Sequence, residues 1–374
     1  MQSSLRASQQ SSNRNPFPPP ATFLDFPLFN ETRGDGPTSE GTTMHTMDTS
    51  SQAVMRHQLI QRRERLNNAI AETPDTMRLV NLLQEVESAL KRIDAGSYGI
   101  CEICNEPIDD EHLRWDPLVK VCLSHLSEAQ QRAIERDLDL ASQIQTTLLP
   151  ARNTRLNGWE ISYEYLPAGV VSGDYCDIVK SEIDPGTLYF FLGDVSGKGV
   201  AASLLMSHLH AIFRSLVVGD LSLDQMTARA NRLFYDSTMA AHFATLICGQ
   251  ASANGKVDIC NAGHCPPMLL RNRTITPLES TGLPVGLFAN GEYRVETIAM
   301  KRGDSLVLYT DGLTEVRNMS DVEYGVGRLN EVMIRHDTLA PEGLTAALAQ
   351  DAEAFRSGAP RADDLTVMVL QRRA

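Results

Sequence analysis

The chain has 374 residues, a formal net charge of −13 and an apolar fraction of 42%, which allow two or three domains and argue against broad binding to nucleic acid or to an anionic membrane surface. No uninterrupted apolar stretch approaches the ~18 residues needed to span a bilayer, and residues 1–6 lead into no apolar core, so neither a membrane span nor a secretory signal is expected and a cytoplasmic location is. Seven cysteines, an odd count with one C-x-x-C, fit a reducing compartment with free or metal-bound thiols better than a disulfide framework.

Residues 1–50 are rich in Ser, Gln, Asn, Pro and Thr. Such a segment cannot bury enough apolar surface to offset its ordering entropy, and a disordered tail is expected. Its Phe23-Leu24-Asp25-Phe26-Pro27-Leu28-Phe29 cluster is either a docking motif or a set of incidental apolar residues. A helical period begins near residue 52. Leu59, Arg63, Leu66 and Ile70 are spaced four, three, four, and Leu79, Leu83, Val86, Leu90 and Ile93 resume the period after Thr73-Pro74-Asp75. The proline ends one helix and the turn can cap the next. Two helices of roughly 18 residues, each about 27 Å long, predict an antiparallel hairpin.

Cys101, Cys104, Cys122 and His125 then read C-x2-C-x17-C-x2-H. Zinc favours four tetrahedral N/S ligands, and paired knuckles at this spacing supply them. Soft thiolates disfavour magnesium and calcium. A site with four protein ligands is closed, so one structural Zn2+ is expected to fold this segment rather than catalyse. Hairpin and finger together occupy residues 51–126. A linker helix follows over 127–150, stopped by Pro150. Ile134, Leu138, Ala141 and Leu148 fit a heptad seam with polar Gln145 at one seam position. The alternative is an amphipathic helix packed on its own domain.

The third region, 151–374, has strand-like runs at 159–165, 187–193, 243–251, 256–261, 293–299, 305–309 and 365–371, interrupted by helical stretches at 200–216, 222–238 and 341–355. That alternation predicts a layered α+β or α/β/β/α domain without choosing between them. Four acidic segments stand beside turns or at the ends of these runs: Ser172-Gly173-Asp174-Tyr175, Gly193-Asp194-Val195-Ser196-Gly197-Lys198-Gly199, Tyr309-Thr310-Asp311-Gly312 and Asp363-Asp364-Leu365-Thr366. Carboxylates so placed can converge on hard divalent cations, and a pair of such cations can activate water against a phosphate ester.

In this order, and with Asn261-Ala262-Gly263-His264-Cys265-Pro266-Pro267, the segments resemble the SpoIIE-like (RsbU-like) branch of the metal-dependent PPM protein serine/threonine phosphatases, over residues 135–372. The resemblance implies an α+β fold, a layered α/β/β/α sandwich with two Mn2+ or Mg2+ at one end. It implies that Asp194 bridges both metals, that the Val195 backbone carbonyl is a ligand, that Asp311 is a terminal ligand, and that Asp363 or Asp364, Asp363 by register, supplies another. Asp174 matches an acidic residue near the second metal. Lys198 stands where many relatives have His and is either a phosphate contact or a solvated turn residue. Asn261 and His264 either reach phosphate or stabilise a turn. The implied substrate is a phosphorylated STAS-type anti-sigma-factor antagonist. Residues 136–150 resemble the segment that joins sensor modules to this catalytic domain, which implies a homodimer through the linker helix.

Residues 91–125, with Tyr98-Gly99-Ile100-Cys101 and Cys104-Asn105-Glu106-Pro107-Ile108, resemble the DksA/TraR-type zinc finger, which also follows a helical hairpin. His125 replaces the usual fourth cysteine, and the 71–75 tip lacks the family's pattern. That resemblance implies RNA polymerase as a partner. It sets a transcription regulator with a secondary phosphatase domain against the reading of a phosphatase regulated by a zinc module. No basic recognition helix supports direct nucleic-acid binding.

Overall fold

The computed structural model describes residues 49–72, 77–238 and 242–373. They fall into two compact units that divide between Glu135 and Arg136. The tail expected over 1–50, apart from residues 49 and 50, and the break at 73–75 lie outside the described residues.

In the first unit, helix α1 (Thr49–Glu72) and helix α2 (Met77–Asp94) form the hairpin. Arg56, early in α1, pairs with Asp94 at the end of α2 at 3.3 Å, so the helices run antiparallel. Leu59 and Leu66 are buried in one cluster with Val86, Ala89 and Leu90, as the periodicity requires. Tyr98, Cys101, Ile108, Leu113 and Val119 join that cluster, and Arg92 donates to the Val119 carbonyl at 3.0 Å. The short α3 (Asp110–Trp115) lies between the Cys101/Cys104 pair and the Cys122/His125 pair.

Helix α4 (Glu128–Leu148) contains the division between the units. The second unit holds β1 (Asn153–Leu156), β2 (Trp159–Leu166), β3 (Asp174–Lys180), β4 (Thr187–Val195), β5 (Ala244–Ser252), β6 (Lys256–Ala262), β7 (Met268–Arg271), β8 (Thr274–Pro277), β9 (Glu296–Ala299), β10 (Ser305–Tyr309) and β11 (Leu365–Arg372). Its further helices are α5 (Gly199–Leu216), α6 (Leu223–Ser237), α7 (Asp311–Thr314), α8 (Gly325–Arg335) and α9 (Pro341–Arg356). The strands make two antiparallel sheets, ordered β1-β2-β11-β10-β7-β8 and β3-β4-β5-β6-β9.

Three apolar layers separate four layers of backbone. Phe190, Leu192, Ile247 and Ile259 of one sheet meet Ile161, Leu306, Leu308 and Met368 of the other. Tyr189 and Phe191 point the opposite way, with Phe213 of α5 and Phe234 of α6, because successive side chains of a strand alternate faces. Val307, Val367 and Val369 pack with Leu329 of α8 and Leu344 and Leu348 of α9. The result is the α/β/β/α sandwich. Both faces of β4 are covered, which explains why its sequence reads as a continuous apolar run rather than an alternation.

An ion pair joins β3 to α5 on the side of this core that faces the α5–α6 layer. Asp177 of β3 is fully buried and receives Arg214 of α5 through Nε and Nη2, both at 2.7 Å. His210 Nε2 lies 3.5 Å from the same carboxylate. The two-pronged contact fixes the register of α5 on the sheet.

Several elements differ from the sequence reading. Strands β1, β3, β7 and β8 and helices α7 and α8 are additional, and the strand expected from 293 begins at Glu296. In α4, Gln145 and Leu148 face the second unit: Gln145 is 5% exposed and Leu148 packs on the α5–α6 core. Leu140 and Ile144, outside the expected seam, are the exposed apolar residues, at 54% each. Of the expected seam, Gln145 and Leu148 are engaged by the second unit's own residues. Among the described residues no helix is long and apolar enough to cross a membrane.

Gly249 of β5 lies opposite Phe190 in register, and a Cβ there would meet the Phe190 ring at 2.0 Å. Gly249→Ala is therefore expected to destabilise the sandwich by about 1–3 kcal/mol through overpacking, seen as a lower urea midpoint with an unchanged slope.

Candidate functional site

The four acidic segments meet at one end of the sandwich. Asp174, first residue of β3, is the register partner of Asp194 near the end of β4. Asp311 follows β10 and opens α7, while Asp363 and Asp364 immediately precede β11. Strands β10 and β11 pair directly. Gly312 must be glycine for a steric reason, since a Cβ there would lie 1.9 Å from the Asp364 carbonyl oxygen. That close approach lets the turn after β10 press against the start of β11.

Asp174 is 1% exposed. Its Oδ2 accepts hydrogen bonds from the Thr310 hydroxyl at 3.0 Å and from the Thr366 hydroxyl. Thr366 belongs to β11 of the opposite sheet, and Thr310 is the residue between β10 of that sheet and α7. Asp364 is also held by backbone donors: Oδ1 accepts from Ala168 N at 2.7 Å and Oδ2 from Gly173 N at 2.8 Å. Asp363 is more open, and its Oδ2 pairs with Lys198 Nζ at 3.0 Å. Lys198 also donates to the Ala362 carbonyl at 2.6 Å. Val195 N bonds the Gly173 carbonyl at 3.3 Å, and a Cβ on Gly173 would sit 3.2 Å from the Val195 carbonyl oxygen and 3.5 Å from Asp194 Oδ1. The Val195 carbonyl and the Asp194 carboxylate therefore flank the same small space.

The electrostatics follow from packing like charges in a partly buried place. Burial, then Asp311, Asp363 and Asp364, push the Asp194 carboxyl up to about 7 against the opposing pull of Lys198. Burial and then Asp363 raise Asp311. Complete burial and then Asp194 hold Asp174 well above the usual carboxylate range. All the donors are oxygens, and their mutual repulsion is relieved by positive charge. Such a donor set fits a hard divalent cation.

Asn261 and His264 are brought close to this end but are turned inward. Asn261 Oδ1 accepts from His264 N at 2.8 Å, and its Nδ2 donates to the His264 carbonyl at 3.2 Å. The imidazole Nδ1 lies 2.8 Å from the hydroxyl of Thr245, the register partner of Asp194. Burial lowers His264 to about 4 despite the neighbouring Tyr309 backbone, which keeps it neutral. Of the three residues considered for phosphate, Lys198 alone keeps an exposed cationic head, with 63% of its side chain accessible.

Several neighbours were not singled out by the sequence. Thr310 and Thr366 stand inside the acidic motifs themselves, so adjacency was the available signal. Glu315 is raised by burial and by Asp311. Cys265 is pushed up to about 12 by burial, then Asp311, Glu315 and Asp194, so its thiol stays protonated.

In the first unit, the ligand atoms of Cys101, Cys104, Cys122 and His125 all lie within 4.8 Å of one another. Cys104 Sγ and Cys122 Sγ are 3.9 Å apart, and Cys101 Sγ is 3.8 Å from His125 Nδ1. A tetrahedron with 2.3 Å metal–sulfur bonds has edges of about 3.8 Å. Although burial opposes it, the amide groups of Cys104, Cys122 and Ile103 bring the Cys101 thiol down to about 6, which favours the thiolate.

Two antiparallel sheets between helical layers, with acidic residues gathered at one end, define the PP2C-type phosphatase fold. The SiaA-PP2C domain of Pseudomonas aeruginosa has this fold, with a TM-score of 0.56 at 19% identity over 66% of this chain and 99% of that domain. The chain belongs to the family described as Stage II sporulation protein E (SpoIIE), which matches residues 184–373. It is 29% identical over 194 residues to the phosphoserine phosphatase RsbU of Bacillus subtilis, covering 50% of this chain and 56% of RsbU. It is 28% identical over 265 residues to protein IcfG of Synechocystis sp., covering 63% of this chain and 41% of IcfG. The chain thus spans about half the length of these relatives.

The raised Asp194 carboxyl has a consequence for stability. Its folded pKa of about 7 exceeds the unfolded value of about 3.9, so the folded state holds the proton more tightly. Stability is therefore lost as pH rises from about 4 to about 7, by an amount on the order of 1–4 kcal/mol. In EDTA, Asp194→Asn is expected to melt higher than the parent protein at pH 8 and at nearly the same temperature near pH 4, as read by thermal melts.

Proposed function

We propose that this chain is a metal-dependent protein serine/threonine phosphatase that hydrolyses phosphoserine or phosphothreonine in a regulatory protein. The observation that carries it is the convergence of Asp174, Asp194, Asp311 and Asp363 from four separate segments, with Asp194 pushed to about 7 by its neighbours. Asp194, the Val195 carbonyl, Asp311 and Asp363 would hold two Mn2+ or Mg2+. When bound, the pair supplies an activated water and neutralises phosphoryl oxygens. Asp174 is locked by Thr310 and Thr366 and positions the β3 end beside Asp194. Asp364 is occupied by backbone N–H groups, so its role is to hold residues 168 and 173 in place. Lys198 balances Asp363 and is placed to meet a phosphoryl oxygen. The cluster contains no assigned general acid for the leaving alkoxide. The printed name of RsbU, a phosphoserine phosphatase, supports the substrate class. The STAS-type anti-sigma-factor antagonist rests on the family resemblance.

The test is hydrolysis of p-nitrophenyl phosphate and of a phosphoserine peptide by the full chain. Turnover is expected with Mn2+, to vanish in EDTA, and to fall at least about a thousandfold in Asp194→Ala, the loss of roughly 4 kcal/mol of transition-state stabilisation. Turnover that persists in EDTA would overturn the reading.

The zinc unit has a separate role. Cys101, Cys104, Cys122 and His125 would hold one structural Zn2+, and the finger packs into the hairpin core through Cys101 and Val119. Exposed Leu140 and Ile144 offer α4 a surface for a second copy of the chain, so that the module and the linker helix regulate the phosphatase. One zinc per chain is expected by elemental analysis, and Cys104→Ser is expected to lose it together with part of the helical circular dichroism.

A further inference from the structure

The end of α4 is tied to the acidic cluster by one side chain. Gln145 is 5% exposed. Its Oε1 accepts from Ser172 N at 2.9 Å, and its Nε2 donates to the Ser172 carbonyl at 2.7 Å. Strand β3 is the edge of its sheet, with β4 as its neighbour, and Ser172 lies just before β3 begins. Both buried backbone groups of Ser172 need a partner. The Gln145 amide presents an acceptor and a donor side by side, as an adjoining strand would.

The consequences run through the next two residues. Ser172 Oγ accepts from Asp174 N at 3.1 Å, and Gly173 N donates to Asp364 Oδ2 at 2.8 Å. Gly173 in turn faces Asp194 Oδ1 and the Val195 carbonyl. Each of the three consecutive residues 172–174 has its backbone N–H held by a side chain, and Gln145 holds the first. Farther along α4, Leu148 packs on the α5–α6 core and its backbone bonds His210, while Ile144, one residue earlier than Gln145, is exposed. Gln145 is therefore a buried residue of the helix that bonds the loop directly.

We propose that Gln145 is a positioning residue: its side-chain amide acts as a one-residue strand neighbour that sets the height of residues 172–174 against Asp194 and Val195, and so links the setting of α4 to the divalent-cation site. This rests on the phosphatase reading of that site. Removing the amide strands two buried backbone groups and frees the loop that faces Asp194 Oδ1 and the Val195 carbonyl, and disturbing the groups that orient metal ligands typically weakens metal binding by about 10–100-fold.

The full chain is compared with Gln145→Ala, with Gln145→Met, which keeps the volume but not the hydrogen bonds, and with the exposed control Gln143→Ala. Mn2+ binding is read by electron paramagnetic resonance of the free ion, which needs no turnover, and amide exchange is followed over residues 170–176. Both Gln145 variants are expected to bind Mn2+ at least about tenfold more weakly and to exchange faster in that segment, with Gln143→Ala unchanged. A Gln145→Met chain with parental Mn2+ affinity and exchange would overturn the proposal, leaving Gln145 a packing residue. Failure of both variants to fold would equally make its role structural and overturn it. If the parent protein binds no Mn2+, the phosphatase reading fails instead, and the exchange data still decide whether Gln145 holds the loop.

Discussion

Asp174 belongs to one sheet, and the two hydroxyls that hold it come from β11 of the other and from the residue that follows its β10. That cross-sheet bond is the constraint from which the acidic end of the sandwich takes its shape. A buried carboxylate is costly unless hydrogen-bonded, so Thr310 and Thr366 must stay within reach of β3 whatever the loops do. Each threonine is next to, or two residues from, a carboxylate of the cluster. Satisfying Asp174 therefore sets the places of Asp311 and Asp364 as well. The apolar layer between the sheets makes the spacing rigid, because Phe190, Leu192, Leu308 and Met368 leave no slack for one sheet to slide over the other.

The cluster combines two kinds of carboxylate. Asp174 and Asp364 have their oxygens taken by the protein, while Asp194, Asp311 and Asp363 are held close together with fewer partners. The first pair gives the loops their geometry, and the second group carries the unrelieved repulsion that a cation answers. This division is a common arrangement around metals, where the outer partners orient the inner ones. It also explains why a chain with a net charge of −13 concentrates acidity where the fold is least tolerant of it. Stability is given up locally where these carboxylates crowd.

Much of this was legible in the sequence because the signals were local. The strand over Ser305–Tyr309 is a plain apolar run, and the C-x2-C-x17-C-x2-H spacing carries its chemistry on its face. Strand β3 was not seen because Asp174 and Asp177 interrupt its apolar pattern, and both carboxylates find their partners far away in sequence. Strands β7 and β8 have four residues each, too few for an alternation to register. Helix α8 begins Gly325-Val326-Gly327, which reads as a loop until Tyr324 and Leu329 are seen to pack with α9. Gln145 looked like a blemish in a heptad seam. Its reason is a pair of backbone groups 27 residues away, which no periodicity can encode. Phosphate contact by His264 looked open in one dimension, whereas in three the imidazole is buried against Thr245.

The ion pair between Asp177 and Arg214 has a bearing on how this domain can diverge. It lies beneath α5, whose first residue follows Lys198 at the acidic end. Loss of Arg214 strips the fully buried Asp177 carboxylate of its two-pronged partner, at a cost of about 3–5 kcal/mol, whereas loss of Asp177 leaves an Arg214 side chain that is 43% accessible and can turn to water. Sequences that drift through single changes are thus constrained more at position 214 than at position 177, because only the carboxylate is enclosed. The two positions are inherited unequally: a related chain that keeps the carboxylate of Asp177 is expected to keep a cation opposite it, while a cation there does not require the carboxylate.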